Sequence, residues 1–215
     1  MLLDDEEFQI MATAAQPHLR VQQADTKERQ IFDDFFAGRQ LAGARVLELG
    51  PGQYDIARLV AAAGATTVTI DHDPAIVALG RKRGHEAILA DFLTFDWNSL
   101  RAEFDGLFAR SSTAPHWFSD TAPLEEFVDS ICSVLKPDGW GWVLPWNRYI
   151  DTPSAHVDLM LAGQREAFER NGFTTVDLRP LIAARGGDPS RDNYQLFVRG
   201  LNLGPRELDP DRFVG

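Results

Sequence analysis

The chain holds one cysteine, Cys132, so an intrachain disulfide is impossible, and no His/Cys cluster has zinc-site spacing. Long apolar runs are missing too. None approaches the roughly 20 residues needed to span a bilayer, and the first residues, Met1-Leu2-Leu3-Asp4-Asp5-Glu6-Glu7, place acid where a signal peptide needs base. Positive charge is scarce: 21 Lys and Arg against 32 Asp and Glu leave a net charge of -11. With no basic stripe to offset it, such a surface repels phosphate backbones and anionic membranes. These absences argue against nucleic acid and membrane as partners and lead us to expect a soluble, cytoplasmic protein. Cys132, beside Ile131 and Val134 in a helical pattern, reads as a small buried hydrophobe.

What remains is the material of one folded domain. A length of 215 residues, 44% of them hydrophobic and 25% charged, suits a single core. From Ala44 onward, strand-like and helix-like patterns alternate. Arg45 to Leu49 is a compact apolar run ending in Gly50-Pro51-Gly52, and Ile56, Leu59, Val60 and Ala63 then recur on one helical face closed by Gly64. Thr66 to Ile70 and Ala87 to Ala90 read as strands that stop at Asp71 and Asp91, with a helix opened by Pro74 between them. Phe104 to Ala109, Trp140 to Leu144, Phe173 to Leu178 and Tyr194 to Arg199 supply four more strands, and Lys136-Pro137-Asp138-Gly139 reads as a turn.

This alternation predicts an α/β fold: a Rossmann-like, seven-stranded, mostly parallel sheet with helices on both faces. No helix clearly separates the last two strands, so the terminal strand is expected to be antiparallel. Residues 1–43 form a helical preface to a domain over 44–215. Within it Asp25 and Glu28 have capping-box spacing, and Ile31, Phe32, Phe35 and Phe36 form a buried side.

Ligands of an open parallel sheet bind beyond the carboxyl ends of its strands. The first strand ends Glu48-Leu49-Gly50-Pro51-Gly52, where glycines let a ligand approach the backbone and a helix N-terminus follows. Asp71 can accept both hydroxyls of a ribose. Asp91-Phe92 pairs a carboxylate for an exocyclic amine with a ring to cover an adenine face.

These residues, in this order, resemble the class I, Rossmann-like S-adenosylmethionine-dependent methyltransferase family. Its acid-x-Gly-x-Gly motif is present as Glu48-Leu49-Gly50-Pro51-Gly52, its second-strand acid as Asp71 and its third-strand acid as Asp91. Phe104-Asp105-Gly106-Leu107-Phe108-Ala109-Arg110-Ser111 is similar to its fourth-strand segment, and Leu135-Lys136-Pro137-Asp138-Gly139 to its Leu-Lys-Pro-Gly-Gly turn, with Asp138 for the first Gly. The likeness spans roughly 44–200. It implies S-adenosylmethionine as cofactor, with Gly50 and Gly52 under its methionine and ribose and Glu48 reaching its amino group through water. Asp71 would hold the ribose hydroxyls and His72 would lie against the adenine. Asp91, Phe92 and Arg110 complete the implied cofactor set. Tyr54 stands where many members have a third glycine, and is expected to close over the methionine end.

Methyl transfer needs chiefly in-line placement of a nucleophile. A base helps when the acceptor keeps its proton, and His116, in Ser111-Ser112-Thr113-Ala114-Pro115-His116-Trp117, is the candidate; orienting substrate or capping the next helix are its alternative roles. Trp117 and Trp146 are candidate walls of an apolar acceptor pocket, and Arg148 a candidate for a substrate carboxylate, whereas Trp140 and Trp142 alternate within a strand and read as core. Magnesium-binding acids are not found after Ala109, so no metal is expected. The expected activity is methylation of a small molecule at oxygen or nitrogen, with the oligomeric state undefined. Two alternatives are a nicotinamide-dependent oxidoreductase, against which Asp55 occupies the third-glycine position of Gly-x-Gly-x-x-Gly, and a non-catalytic cofactor-binding or scaffold protein.

Overall fold

The computed structural model describes residues 3–16, 26–36, 39–110, 112–145, 154–178, 183 and 195–201. The chain divides into two compact units, Met1–Phe95 and Asp96–Gly215.

The first unit opens with α1 (Asp5–Met11) and α2 (Thr26–Phe35). The sequence predicts a helical preface over 1–43 without setting bounds for α1, although its start is written plainly: Asp4 and Glu7 form a reciprocal capping box, and Asp5, Glu6 and Glu7 place negative charge at the positive end of the helix dipole. In α2 and just past its end, Ile31, Phe35 and Phe36 are buried as expected, while Phe32 is half-buried and stacks on Phe36. Asp25 lies outside the described residues. β1 (Arg45–Leu49), α3 (Asp55–Ala62), β2 (Thr66–Asp71), α4 (Pro74–Lys82) and β3 (Glu86–Leu89) then alternate. β1 and β3 both run parallel to β2, with Glu48 opposite Thr69 and Leu89 opposite Asp71. α4 begins as Pro74 predicts. Asp73 caps it by accepting the Ala75 amide N–H, while Arg81 and Lys82 sit at its negative end. Val46, Leu47, Leu49, Val68 and Ile70 are buried, and Ile56, Leu59, Val60, Ile76 and Leu79 bury one face of each helix.

The second unit contains β4 (Phe104–Arg110), α5 (Thr121–Cys132), β5 (Leu135–Leu144), α6 (Ser154–Arg170), β6 (Thr174–Asp177) and β7 (Gln195–Arg199). β5 starts earlier than Trp140. Its pairing with β4 shifts from Phe104–Leu135 to Gly106–Trp140, so Lys136-Pro137-Asp138-Gly139 bulges within the strand instead of preceding it. A bulge accommodates Pro137, and Lys136 Nζ anchors it to Asp105 Oδ1 at 2.6 Å. β7 is antiparallel to both β5 and β6, as the sequence predicts. The core here contains stacked aromatic pairs: Phe108 stacks on Trp142, and Phe168 stacks on Phe197 with ring centroids 4.2 Å apart. Trp140, Trp142 and Cys132 are buried, and burial pushes the Cys132 thiol well above its usual range.

Of the seven strands, those of the first unit run in the order β3-β2-β1 and those of the second in the order β4-β5-β7-β6, the mostly parallel arrangement expected from the alternation. No helix among the described residues is long and apolar enough to cross a membrane.

Candidate functional site

In the first unit, the carboxyl ends of three neighbouring parallel strands bring together Glu48, Gly50, Gly52, Asp71, His72 and Asp91. The backbone does this directly: Gly50 N–H donates to Ile70 O, and Ala90 N–H donates to Asp71 O, each at 3.0 Å. Gly50 (φ 66°) and Gly52 (φ 54°) take left-handed conformations that only glycine adopts without strain.

Tyr54 also has positive φ, at 64°, which costs a non-glycine residue about 1–2 kcal/mol. The expectation that it closes over the methionine end is not met. Its side chain is fully buried, its hydroxyl lies 3.1 Å from Thr69 Oγ1, and its ring stacks on His85. Leu3, Met11, Ala57, Ile76 and Leu79 belong to the same cluster. Burial of an aromatic ring, at roughly 1.5–3 kcal/mol, offsets the backbone strain. Gly80 is the complementary residue, because a Cβ there would collide with the Tyr54 ring. A tyrosine in place of a loop glycine is thus matched by a helix glycine that makes room for it.

Glu48 and Asp71 are both buried. Burial pushes the Asp71 carboxyl above its ordinary range, an effect opposed by the Asp73 amide, which donates to Oδ1 at 2.8 Å. His72 is exposed, with Nδ1 3.5 Å from the same oxygen. A carboxylate kept in so poorly solvated a place suits a ligand that brings hydroxyl donors. Asp91 is exposed and accepts the Leu93 amide N–H at 2.9 Å, while Phe92 is buried beside it. Left-handed glycines, two buried acids and an exposed third acid form a donor and acceptor set that fits a sulfonium amino acid joined to a nucleoside.

Three residues around this site escaped the sequence reading. Asp73 supports Asp71 and caps α4, and Glu7 pairs with Arg83 beside the glycine loop. Two local patterns carried the signal: Asp-Pro at a helix start and the Asp4-x-x-Glu7 capping box.

In the second unit, β4 ends at Arg110, which is half-buried. Ser112, Thr113 and Ala114 are buried, and Gln164 Nε2 of α6 donates to Thr113 O at 3.1 Å. A single 3-10 turn, Pro115–Trp117, follows. It carries His116 in its backbone, and Trp117 is 40% exposed. The side chain of His116 is outside the described structure, as are Trp146 and Arg148 altogether.

Residues 47–143 match a family model described as a methyltransferase domain. Among solved structures, the magnesium protoporphyrin IX methyltransferase of Synechocystis PCC 6803, determined with bound S-adenosylmethionine, is 13% identical with a TM-score of 0.56, covering 92% of this chain and 98% of its own. The sugar N-methyltransferase KedS8 from Streptoalloteichus sp ATCC 53650 is 15% identical with a TM-score of 0.55, over 82% and 88% of the two chains. The [4+2]-cyclase SpnF is 19% identical with a TM-score of 0.52, over 81% and 79%. No curated protein matches the chain significantly in sequence. The matched span begins within β1 at the glycine-loop motif and ends within β5, so this part of the chain is similar to a methyltransferase domain, and the solved structures share its fold.

Proposed function

We propose that this enzyme transfers the methyl group of S-adenosylmethionine to a small-molecule acceptor, at oxygen or nitrogen. The observation that carries the reading is the pair of buried carboxylates, Glu48 and Asp71, beside the left-handed Gly50 and Gly52. When bound, the cofactor supplies an electrophilic methyl group on a cationic sulfonium. Gly50 and Gly52 leave room for it along the backbone, Glu48 faces its amino end, and Asp71 accepts from its ribose. His72, Asp91 and Phe92 bind the adenine, and Arg110 is assigned to the same cofactor set.

The acceptor is assigned to the second unit. Trp117 and Trp146 form apolar walls, Arg148 recognises a carboxylate, and His116 removes the acceptor's proton. Residues 1–43 are assigned to covering the cofactor, although 17–25 lie outside the described structure. The acidic chain, at net charge -11, supports a small-molecule acceptor over nucleic acid.

Methyl-labelled S-adenosylmethionine, incubated with separate panels of small hydroxy and amino compounds, tests the reading. Label should pass to one class with equimolar S-adenosylhomocysteine released. Binding of NADH in preference to S-adenosylhomocysteine would instead establish the oxidoreductase alternative. Tight S-adenosylhomocysteine binding with no transfer to either panel would favour a role like that of the cyclase, in which the fold serves other chemistry.

A further inference from the structure

A buried arginine joins the N-terminal helix to the glycine loop. Arg83, just past the end of α4, donates from Nε to Glu7 Oε1 at 2.7 Å and from Nη2 to Glu7 Oε2 at 3.0 Å. Its third nitrogen, Nη1, donates to Gln53 O at 2.5 Å. Both side chains of the ion pair are only 7% exposed. Gln53 lies between Gly52 and Tyr54, two residues of positive φ, so its carbonyl is the point at which the left-handed turn is held from outside. Glu7 is itself fixed, since its Oε2 accepts the Asp4 amide N–H in the capping box of α1.

The same N-terminal segment has a second attachment. Ala15 N–H donates to Asp73 Oδ2 at 2.6 Å, and the Asp73 amide donates to Asp71 Oδ1. Residues 7 to 15 therefore reach, through one intermediary each, the glycine loop and the carboxylate assigned to the ribose.

We infer that Arg83 is a positioning residue for the cofactor: its planar fork, oriented by Glu7, holds the Gln53 carbonyl and with it the glycine loop in the conformation that admits S-adenosylmethionine. The inference rests on the cofactor assignment given above. It deepens that assignment by making α1 part of the cofactor site without contact to the ligand. The guanidinium geometry matters, because its rigid planar fork meets both oxygens of Glu7 in parallel while its outer nitrogen reaches the Gln53 carbonyl, and an ammonium on a flexible stem has no such fixed fork.

The test compares the wild-type full chain with Arg83→Lys and with the double variant Glu7→Met/Arg83→Met, which removes both buried charges together. Near-ultraviolet circular dichroism establishes folding. Calorimetric titration with S-adenosylhomocysteine measures affinity, and amide hydrogen exchange follows residues 52–56 without ligand. Both variants should stay folded, lose at least about tenfold in affinity, and exchange faster in the loop than wild type. Affinity within twofold of wild type in either folded variant overturns the inference. So does unfolding of both variants at 25 °C, which would make the bridge a stability element alone. Failure of the wild type to bind S-adenosylhomocysteine is a separate outcome that removes the cofactor assignment itself.

Discussion

The two units spend buried polarity in different ways. In the first, acids enter the interior, three of them beside named partners: Glu7 by Arg83, Asp73 by the Ala75 and Ala15 amides, Asp71 by the Asp73 amide. In the second, the interior is apolar and carries stacked aromatic pairs, Phe108 with Trp142 and Phe168 with Phe197, and polar fixing of the loop after β4 falls to Gln164. On the proposed cofactor assignment, an invariant ligand rewards the first design, because the same hydroxyls, amine and sulfonium are met at every turnover. An apolar scaffold suits the acceptor site proposed for the second unit. The contrast implies that changes in the first unit act on cofactor affinity and changes in the second on turnover.

The largest effect that would break this contrast is at His116. If the acceptor is a hydroxyl, His116→Ala should lower turnover by about two orders of magnitude or more, and S-adenosylhomocysteine affinity should stay within a few-fold by calorimetry. For a neutral amine, whose lone pair attacks before its proton leaves, the loss should stay below about tenfold. Equal loss of binding and turnover would place His116 in a structural role.

Next in size is the mirror experiment in the first unit. Asp71→Ala should weaken S-adenosylhomocysteine binding by roughly 1.5–3 kcal/mol, the scale of a hydrogen bond to a charged group. Maximal turnover at saturating cofactor should change much less than affinity does. Unchanged affinity in a folded variant would withdraw the ribose assignment.

Tyr54 sharpens the comparison at smaller scale. Tyr54→Phe keeps the ring on His85 and removes the hydroxyl partner of the buried Thr69. A loss of about 0.5–1.5 kcal/mol in denaturant unfolding is expected, with cofactor affinity unaltered because the ring faces the core. A large loss of affinity would return Tyr54 to the cofactor.

The contrast also explains what the sequence could disclose. The place of Asp71 at a strand end and the positive φ of Gly50 and Gly52 were legible because they are local features. The parallel sheet was legible from alternating apolar runs. Tyr54 was misread because its direction depends on Gly80, twenty-six positions later, whose missing side chain makes the space. Arg83 was invisible for a similar reason, since its partner is 76 residues away and both lie in helix-terminal patterns that look solvated. The bulge in β5 was read as a plain turn because Pro137 and Gly139 signal both equally well.

The smallest predicted effect is a pH dependence in which two acids of the first unit have opposite signs. Hydrogen bonding from Arg83, outweighing desolvation, holds the Glu7 carboxyl below its ordinary 4.5. Its contribution to stability is therefore full above that value and disappears as pH falls through the lowered native value. Asp71 behaves in reverse. Desolvation raises its native value above 3.8, so the folded state binds more protons than the unfolded chain just above that pH, and stability falls as pH rises through this range. Asp71→Asn retains a carbonyl oxygen to accept the Asp73 amide and removes the charge. The ligand-free variant should match wild type in melting temperature well below pH 3.8, where both side chains are neutral. Above that it should become the more stable of the two, by a margin that widens and then levels toward neutral pH. In a chain of this length each kcal/mol reads as about 2–4 °C. With saturating S-adenosylhomocysteine the order should reverse, because wild type recovers the cost of its buried charge through the ligand. A variant less stable than wild type at neutral pH without ligand would show that the Asp71 charge supports the fold rather than the cofactor.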